Sequence, residues 1–189
     1  MFNNGYYEQD EIKQYFKSVG KNVLISRNST IIGAENIEIG NNVRIDDYCS
    51  IMAGGKEASL TIGSYVHIGA CCYLSAKNGI VMEDFTGISQ GVRIYSNSDD
   101  YSGEFLTNPM VPSQFTNATG GMVTLKKHVI IGSGSVVLPK VTINEGTSVG
   151  ALSLVTKDLK DWSIYFGSPA KRLRNRSKNL LQLEKQLEE

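Results

Sequence analysis

The chain has 189 residues, and its 19 basic and 19 acidic side chains give a formal net charge of zero. This length suits one domain with its own core, and the neutral total argues against a bulk nucleic-acid binder or an adsorber of anionic membranes. Glycine is frequent, with 19 residues against 4 prolines, and it recurs after isoleucine or valine, which indicates a repeat.

The N-terminal segment, residues 1–21, contains Glu8, Asp10 and Glu11 and lacks the basic start and apolar run of a signal peptide. No stretch of the chain approaches the roughly 20 apolar residues that are needed to span a bilayer. These features predict a cytoplasmic protein without membrane insertion. Residues 7–16 carry helix-forming side chains and predict a short helix in this segment.

Between residues 22 and 168, aliphatic side chains recur every six residues within several runs. A helix repeats apolar side chains every three or four residues and a strand every two, so a period of six fits neither alone. It predicts an all-β solenoid in which each hexad is a short strand with a corner and three hexads form one triangular coil. The repeated positions are Ile25, Ile31, Ile39, Ile45, Ile51, Ile62, Ile68, Leu74, Met82, Ile88, Ile94, Leu125, Ile131, Val137, Ile143, Val149 and Val155.

The repeat is interrupted four times, and the longest interruption covers residues 95–124. Long segments without secondary structure of their own are uncommon in compact domains unless they are functional or disordered. Interruptions of a solenoid also tend to map to one functional face. The aromatic side chains of this excursion favour an ordered loop.

Three cysteines, Cys49, Cys71 and Cys72, show none of the spacings of a zinc site or a redox pair. Cys49 and Cys72 occupy the fifth position of their hexads, which is small or β-branched throughout the repeat. We interpret the three cysteines as small core side chains.

The C-terminal part of the chain is basic, with seven basic and two acidic residues between positions 157 and 178. Such an excess suits the phosphates of an anionic cofactor, although a solvated basic helix end would give the same composition. Leu180, Leu183 and Leu187 stand at helical spacing and predict a short helix over residues 175–187, in a C-terminal helical segment of residues 169–189.

From residue 23 to residue 173 the hexads resemble the repeat [LIV]-G-x-x-x-x of the left-handed parallel β-helix acyltransferases, the hexapeptide-repeat superfamily. The stretches FKSVGKNVLIS and DDYSG look most similar to enzymes that acetylate surface-polysaccharide sugars or their nucleotide-linked amino-sugar precursors. The resemblance implies a left-handed coil and a homotrimer with active sites between subunits. It also implies acetyl transfer from acetyl-CoA to a sugar hydroxyl or amine, as part of polysaccharide biosynthesis, with no metal ion.

Residues 130–174, with the closing run GSPAKR, resemble the acetyl-CoA-binding coils of sugar O-acetyltransferases. In that family the amides of the pantetheine arm bond to the backbone where glycine precedes a small residue, and basic side chains bind the phosphates and the adenine end. The resemblance therefore implies seven cofactor contacts: Gly132, Ser133, Gly150, Ala151, Lys157, Lys171 and Arg174.

The long loop lacks the histidine that sugar O-acetyltransferases of this type usually place near its start, and the resemblance puts Asp99 or Asp100 at that position. A carboxylate is a poor base for a sugar hydroxyl unless burial raises its pKa. An amine acceptor, or a base elsewhere, is therefore favoured. Of the two histidines, His67 and His128, we predict that His67 acts with Asp99, whose carboxylate would orient the imidazole.

Four further residues of the loop are candidate sugar contacts, because polar and aromatic groups suit hydroxyls and ring faces, although ordinary loop turns use the same residue types. They are Asn97, Asp100, Tyr101 and Asn108.

One other function stays open, and a second is nearly excluded. A non-catalytic β-helical scaffold would use the long loop to bind a partner. A zinc enzyme of the carbonic-anhydrase type on the same fold needs three histidines at each site, and the chain has only 2. The sequence does not decide between an oxygen and a nitrogen acceptor.

Overall fold

A computed structural model of residues 5–188 shows three mostly parallel β-sheets that form the faces of a triangular prism. Sheet 1 consists of β1 (Ser18–Val19), β4 (Ile37–Ile39), β7 (Leu60–Ile62), β10 (Ile80–Met82), β15 (Val123–Leu125) and β18 (Thr142–Ile143). Sheet 2 consists of β2 (Val23–Ile25), β5 (Val43–Ile45), β8 (His67–Ile68), β11 (Gly87–Ile88), β16 (Ile130–Ile131), β19 (Ser148–Val149), β21 (Ser163–Phe166) and β22 (Lys171–Asn175). Sheet 3 consists of β3 (Thr30–Ile32), β6 (Ser50–Met52), β9 (Tyr73–Ser75), β12 (Arg93–Tyr95), β17 (Val136–Val137) and β20 (Leu154–Val155).

The repeated aliphatic residues form the core of the prism. Successive coils stack in register, so that Ile45 lies beside Ile68 in sheet 2 and Ile94 lies beside Val137 in sheet 3. These four side chains have 0% exposure. Burial of one such side chain stabilises the fold by about 1.5–3 kcal/mol, which explains why the aliphatic period sets the coil. The predicted β-solenoid is confirmed.

The corner between sheet 1 and sheet 2 is filled by stacked aromatic rings, and we call it the aromatic corner. The ring centroids of Tyr65 and Phe85 are 4.8 Å apart, those of Phe85 and His128 5.2 Å, and those of His128 and Trp162 6.3 Å. Gly146 occupies the coil between the last two, where an added Cβ would lie 2.5 Å from the indole. Glycine at this position therefore lets Trp162 cover the corner.

The excursion after β12 is ordered by a small antiparallel hairpin. β13 (Asn97–Ser98) pairs with β14 (Thr119–Gly120), so the start of the excursion is tied to its end. A 3-10 turn at Ser113–Phe115 lies between them. The aromatic side chains contribute less than their number indicated, since Tyr101 is 92% exposed.

The chain ends differ in detail from the sequence-based expectation. The N-terminal helix α1 is only Gln9–Ile12, and the C-terminal helix α2 is Leu180–Glu188. Between the prism and α2 the chain forms strand β22, not helix, because β22 pairs antiparallel with β21 and covers the open edge of sheet 2.

The three cysteines do not share one environment. Cys49 and Cys72 are buried core side chains, as predicted. The prediction for Cys71 was wrong, because this residue is exposed at a corner with a φ of 61°.

Across residues 5–188, neither helix has the length and apolar character that a bilayer crossing requires.

Candidate active site

An open cavity of about 410 Å³ lies between the excursion and sheet 3. Asn97, Asp99 and Tyr101 line one side of this cavity, and Val136 and Leu138 of the next coil line the other. We call it the acceptor cavity, after the role that the sequence predicts for the first three residues. Pairing of β13 with β14 fixes the first wall, because it holds the start of the excursion against the prism. The structure thus brings three of the predicted site residues together beside an apolar surface.

Asp100 and Asn108, the other two residues predicted to contact the sugar, stabilise turns of the excursion. The Asp100 carboxylate accepts hydrogen bonds from the side chain and the backbone N–H of Ser102, and these bonds lower its pKa. Asn108 has a φ of 79°, and its side-chain oxygen accepts a hydrogen bond from the N–H of Met110 at 3.0 Å. Both polar groups are therefore engaged in the loop itself.

Within the chain, the carboxylate beside His67 is Asp46, not Asp99. The Nε2 atom of His67 lies 2.9 Å from Oδ2 of Asp46, and Nε of Arg44 donates to Oδ1 at 2.6 Å. Partial burial raises the pKa of Asp46, but the hydrogen bonds from His67 and Arg44 outweigh it and hold the pKa below its usual value. Sequence reasoning missed Asp46, although stacking β5 on β8 in register places Arg44 directly beside His67.

His128 is enclosed by the aromatic corner and by α2. Its side chain is 6% exposed, and its Nε2 atom lies 2.9 Å from Oε2 of Glu184 on α2. Lys127 forms an ion pair with the same carboxylate. The hydrogen bond from Lys127, helped by His128, holds the pKa of Glu184 below its usual value. His128 therefore attaches the C-terminal helix to the prism.

The corner between sheet 2 and sheet 3 contains the four residues predicted to meet the pantetheine arm, and we call it the glycine corner. Gly132 and Gly150 follow the core residues of successive coils, and their N–H groups donate to the next coil at 2.8 Å. By contrast, the N–H groups of Ser133 and Ala151 donate no hydrogen bond to any residue that the structure describes. An added Cβ at Gly132 would lie 2.5 Å from the nitrogen of Ala151. Glycine therefore keeps this amide donor uncovered.

One coil earlier, Ser89 stands in the position of Gly132 and Gly150. Its N–H donates to the carbonyl of Ile131 at 2.9 Å, and the Cys72 thiol lies 3.2 Å from its carbonyl oxygen. Sequence reasoning missed Ser89. The signal was present, because a hydroxyl replaces glycine in one hexad next to the predicted cofactor coils.

Lys171 and Arg174 lie on the outer face of the β21–β22 hairpin. Lys171 pairs with Phe166 and Arg174 pairs with Ile164 across the two strands. An added Cβ at Gly150 would lie 2.3 Å from the Phe166 ring, so this outer face adjoins the glycine corner. Lys157, the third predicted phosphate contact, is exposed just after β20.

Across the described part of the chain, no three side chains of histidine, cysteine, aspartate or glutamate come together as a group that could hold a metal ion.

The sequence matches no protein-family model. It is 46% identical over 180 residues to dTDP-4-amino-4,6-dideoxy-D-glucose acyltransferase of Escherichia coli, an alignment that covers 95% of this chain and 93% of the relative. It is 31% identical over 134 residues to galactoside O-acetyltransferase of Lactococcus lactis, covering 70% of this chain and 59% of the relative.

Among solved structures, the fold is similar to AntD, an N-acyltransferase from Bacillus cereus. A variant of AntD in complex with dTDP-4-amino-4,6-dideoxyglucose and coenzyme A superimposes with a TM-score of 0.92 and 44% sequence identity, covering 99% of this chain and 98% of AntD. AntD in complex with dTDP and 3-hydroxybutyryl-CoA gives the same TM-score at 45% identity, with 98% of this chain and 97% of AntD covered.

The similarities to the Escherichia coli relative and to AntD extend over nearly the whole chain, and they confirm the predicted fold and enzyme class. The chain belongs to the hexapeptide-repeat acyltransferases, enzymes with a left-handed parallel β-helix that take their acyl group from a coenzyme A thioester.

Proposed function

We propose that this protein transfers an acetyl group from acetyl-CoA to the 4-amino group of a dTDP-linked 4-amino-4,6-dideoxyhexose. The observation that carries the proposal is similarity over nearly the whole chain to two acyltransferases. The Escherichia coli relative is named for acylation of dTDP-4-amino-4,6-dideoxy-D-glucose, and AntD has been solved with this compound and coenzyme A.

The composition of the acceptor cavity supports an amine over a hydroxyl. A sugar hydroxyl needs a base strong enough to remove its proton during attack, whereas a neutral amine attacks a thioester carbonyl with its own lone pair. The excursion contains no histidine, and the exposed residue Asp99 lines the cavity. Asp99 is suited to orient the amine and to receive a proton after attack.

The glycine corner supports the other half of the reaction. The free N–H groups of Ala151 and Ser133 lie in successive coils, so they can hydrogen-bond successive carbonyls of an extended pantetheine arm. One coil earlier, the residue at the position of Gly132 and Gly150 is Ser89, and in this proposal the thioester lies close to it. AntD has been solved as variants of a serine and of an aspartate ten positions further on, the spacing of Ser89 and Asp99 here.

In the proposed reaction the amine nitrogen attacks the thioester carbonyl, and a tetrahedral intermediate forms with a new C–N bond. The Ser89 hydroxyl donates a hydrogen bond to its oxyanion, which stabilises the charge that develops. The nitrogen gives a proton to Asp99, collapse of the intermediate breaks the C–S bond, and the departing sulfur takes up that proton, so that coenzyme A leaves as the thiol. Positioning of both substrates supplies much of the rate, because attack becomes effectively unimolecular.

The proposal also includes the oligomeric state of the protein and its cellular role. A homotrimer with sites between subunits would enclose the exposed glycine corner, and it would allow His67 of one subunit to approach Asp99 of another. The pairing of His67 with Asp99 stays a prediction that depends on this interface between subunits. The acetylated sugar would serve surface-polysaccharide synthesis in the cytoplasm.

A thiol-release assay with acetyl-CoA tests the proposed function. We expect turnover with dTDP-4-amino-4,6-dideoxyglucose, an amide product by mass spectrometry, and no turnover with dTDP-glucose, which carries a hydroxyl at the same carbon. Turnover with galactosides and not with the amino sugar would contradict the amine acceptor. Failure with every acceptor, together with no binding of acetyl-CoA in calorimetry, would favour the scaffold.

A further inference from the structure

A second polar cavity, of about 540 Å³, lies at the C-terminal end of the prism between the last coil and β22. We call it the terminal basic cavity. Its charged lining consists of four basic residues and one acidic residue: Lys160, Arg172, Arg176, Lys178 and Asp161. The excess of positive charge in one concave site attracts anions.

The two arginines of this cavity are held in place by neutral acceptors. Nη1 of Arg176 donates to the carbonyl oxygens of His128 and Gly146 at 2.8 and 3.0 Å. Nε of Arg172 donates to the hydroxyl of Ser163 at 2.9 Å. Both guanidinium groups are therefore oriented before any ligand arrives, and each keeps further N–H donors.

The positive charge is not compensated within the chain. Among the side chains that the structure describes, none of the four basic groups forms an ion pair with a carboxylate. Arg176 is half-buried, and burial lowers its pKa, although a guanidinium remains charged in proteins. A partly buried cation without a counter-ion favours an anionic ligand.

The terminal basic cavity is separate from the proposed cofactor site, which consists of the glycine corner and the outer face of the β21–β22 hairpin. In β22 the side chains alternate, so Lys171 lies with Phe166 on the outer face while Arg172 lies opposite the buried Tyr165. The backbone of Arg176 is bonded to Trp162 in the aromatic corner, not in the glycine corner. Lys171 and Arg174 therefore lie towards the glycine corner, whereas the basic residues of the terminal basic cavity lie towards the aromatic corner.

We propose that the terminal basic cavity binds a phosphate dianion, free or as a phosphomonoester, independently of coenzyme A. Two oriented guanidinium groups match the oxygens of a phosphate, and two flexible lysines add point charges. The negative charge of Asp161 would repel a ligand that carries more negative charge than a phosphate dianion. This site does not depend on the acyl-transfer reaction, and it goes beyond the proposed function.

Trp162, the one tryptophan of the chain, gives a direct readout of this cavity. Nζ of Lys178 lies 5.0 Å from the centre of its ring, so an anion that draws Lys178 away changes the indole environment. We expect a saturable change of Trp162 fluorescence with inorganic phosphate, beyond that given by sodium chloride at equal ionic strength. Glycerol 3-phosphate in a parallel titration distinguishes a phosphomonoester from free phosphate, according to which binds more tightly.

Two variants and a matched control complete the test. Arg172→Gln and Lys160→Gln should each weaken phosphate binding, Arg172→Gln by about tenfold because it removes charge-assisted hydrogen bonds. Lys171→Gln makes the same charge change one residue away on the outer face and should leave phosphate binding unchanged. The proposal is overturned if phosphate acts no differently from chloride, if Lys171→Gln weakens binding as much as Arg172→Gln, or if saturating coenzyme A displaces the phosphate.

Discussion

The aromatic corner and the glycine corner are both turns of the same solenoid backbone, but they carry different kinds of side chain. In the aromatic corner, Tyr65, Phe85, His128 and Trp162 close the surface with stacked rings. In the glycine corner, small residues leave backbone donors uncovered. The solenoid therefore supplies geometry, and the choice of corner residue decides whether a corner stabilises the fold or is available to a ligand.

The largest effect is expected at the acceptor cavity. Asp99→Asn should lower kcat by about 10²-fold while acetyl-CoA still binds, because the variant loses the group that orients the amine and accepts its proton. Steady-state kinetics with calorimetry of acetyl-CoA measure both quantities. Asp100→Asn is the matched control, since its carboxylate bonds to Ser102, and it should lose far less. Equal losses in the two variants would contradict the role of Asp99.

A bulky side chain in the glycine corner should cover its backbone donors and so remove the difference from the aromatic corner. Ala151→Phe places a ring over an exposed position and should raise the KM for acetyl-CoA by about tenfold or more, because it covers the amide line. The free energy of unfolding should change little, since Ala151 lies on the surface. An unchanged KM in a folded variant would move the cofactor away from this corner.

A smaller effect is expected on the outer face of the β21–β22 hairpin. Lys171→Ala should raise the KM for acetyl-CoA by at most about fivefold and leave kcat unchanged, because an exposed charge contributes little in water. Lys185→Ala, on α2, removes the same charge from an exposed position and should change neither value. A fall in kcat with constant KM would show that Lys171 does not bind the cofactor.

The smallest effect concerns the helix that covers the aromatic corner. The pKa of Glu184 is lowered in the folded protein, so its ion pair stabilises the docked helix above the ordinary value of 4.5 and is lost as the pH falls through the lowered pKa. We expect no change in Trp162 fluorescence from this group between pH 5 and 8, and a change only below the ordinary value of 4.5. Glu184→Gln should remove that acid transition. A transition near pH 6 in both proteins would assign it to another group.

The sequence predicted the prism because burial fixes the repeated positions, from Ile25 to Val155, whatever the other five residues of each hexad are. It could not predict β22, since all five of its residues are exposed and carry no apolar pattern. That strand depends on pairing with the edge of β21. Asp46 and Ser89 were within reach of the sequence, because register and the glycine position locate them once the coils are counted.

Hydrogen exchange with and without coenzyme A is the most direct test of the difference between the two corners. We predict that peptides containing the N–H groups of Ser133 and Ala151 gain protection on binding, whereas those containing Tyr65 and Phe85 do not. Protection confined to the aromatic corner, or no added protection at Ser133 and Ala151 under saturating coenzyme A, would contradict the assignment of the glycine corner to the cofactor.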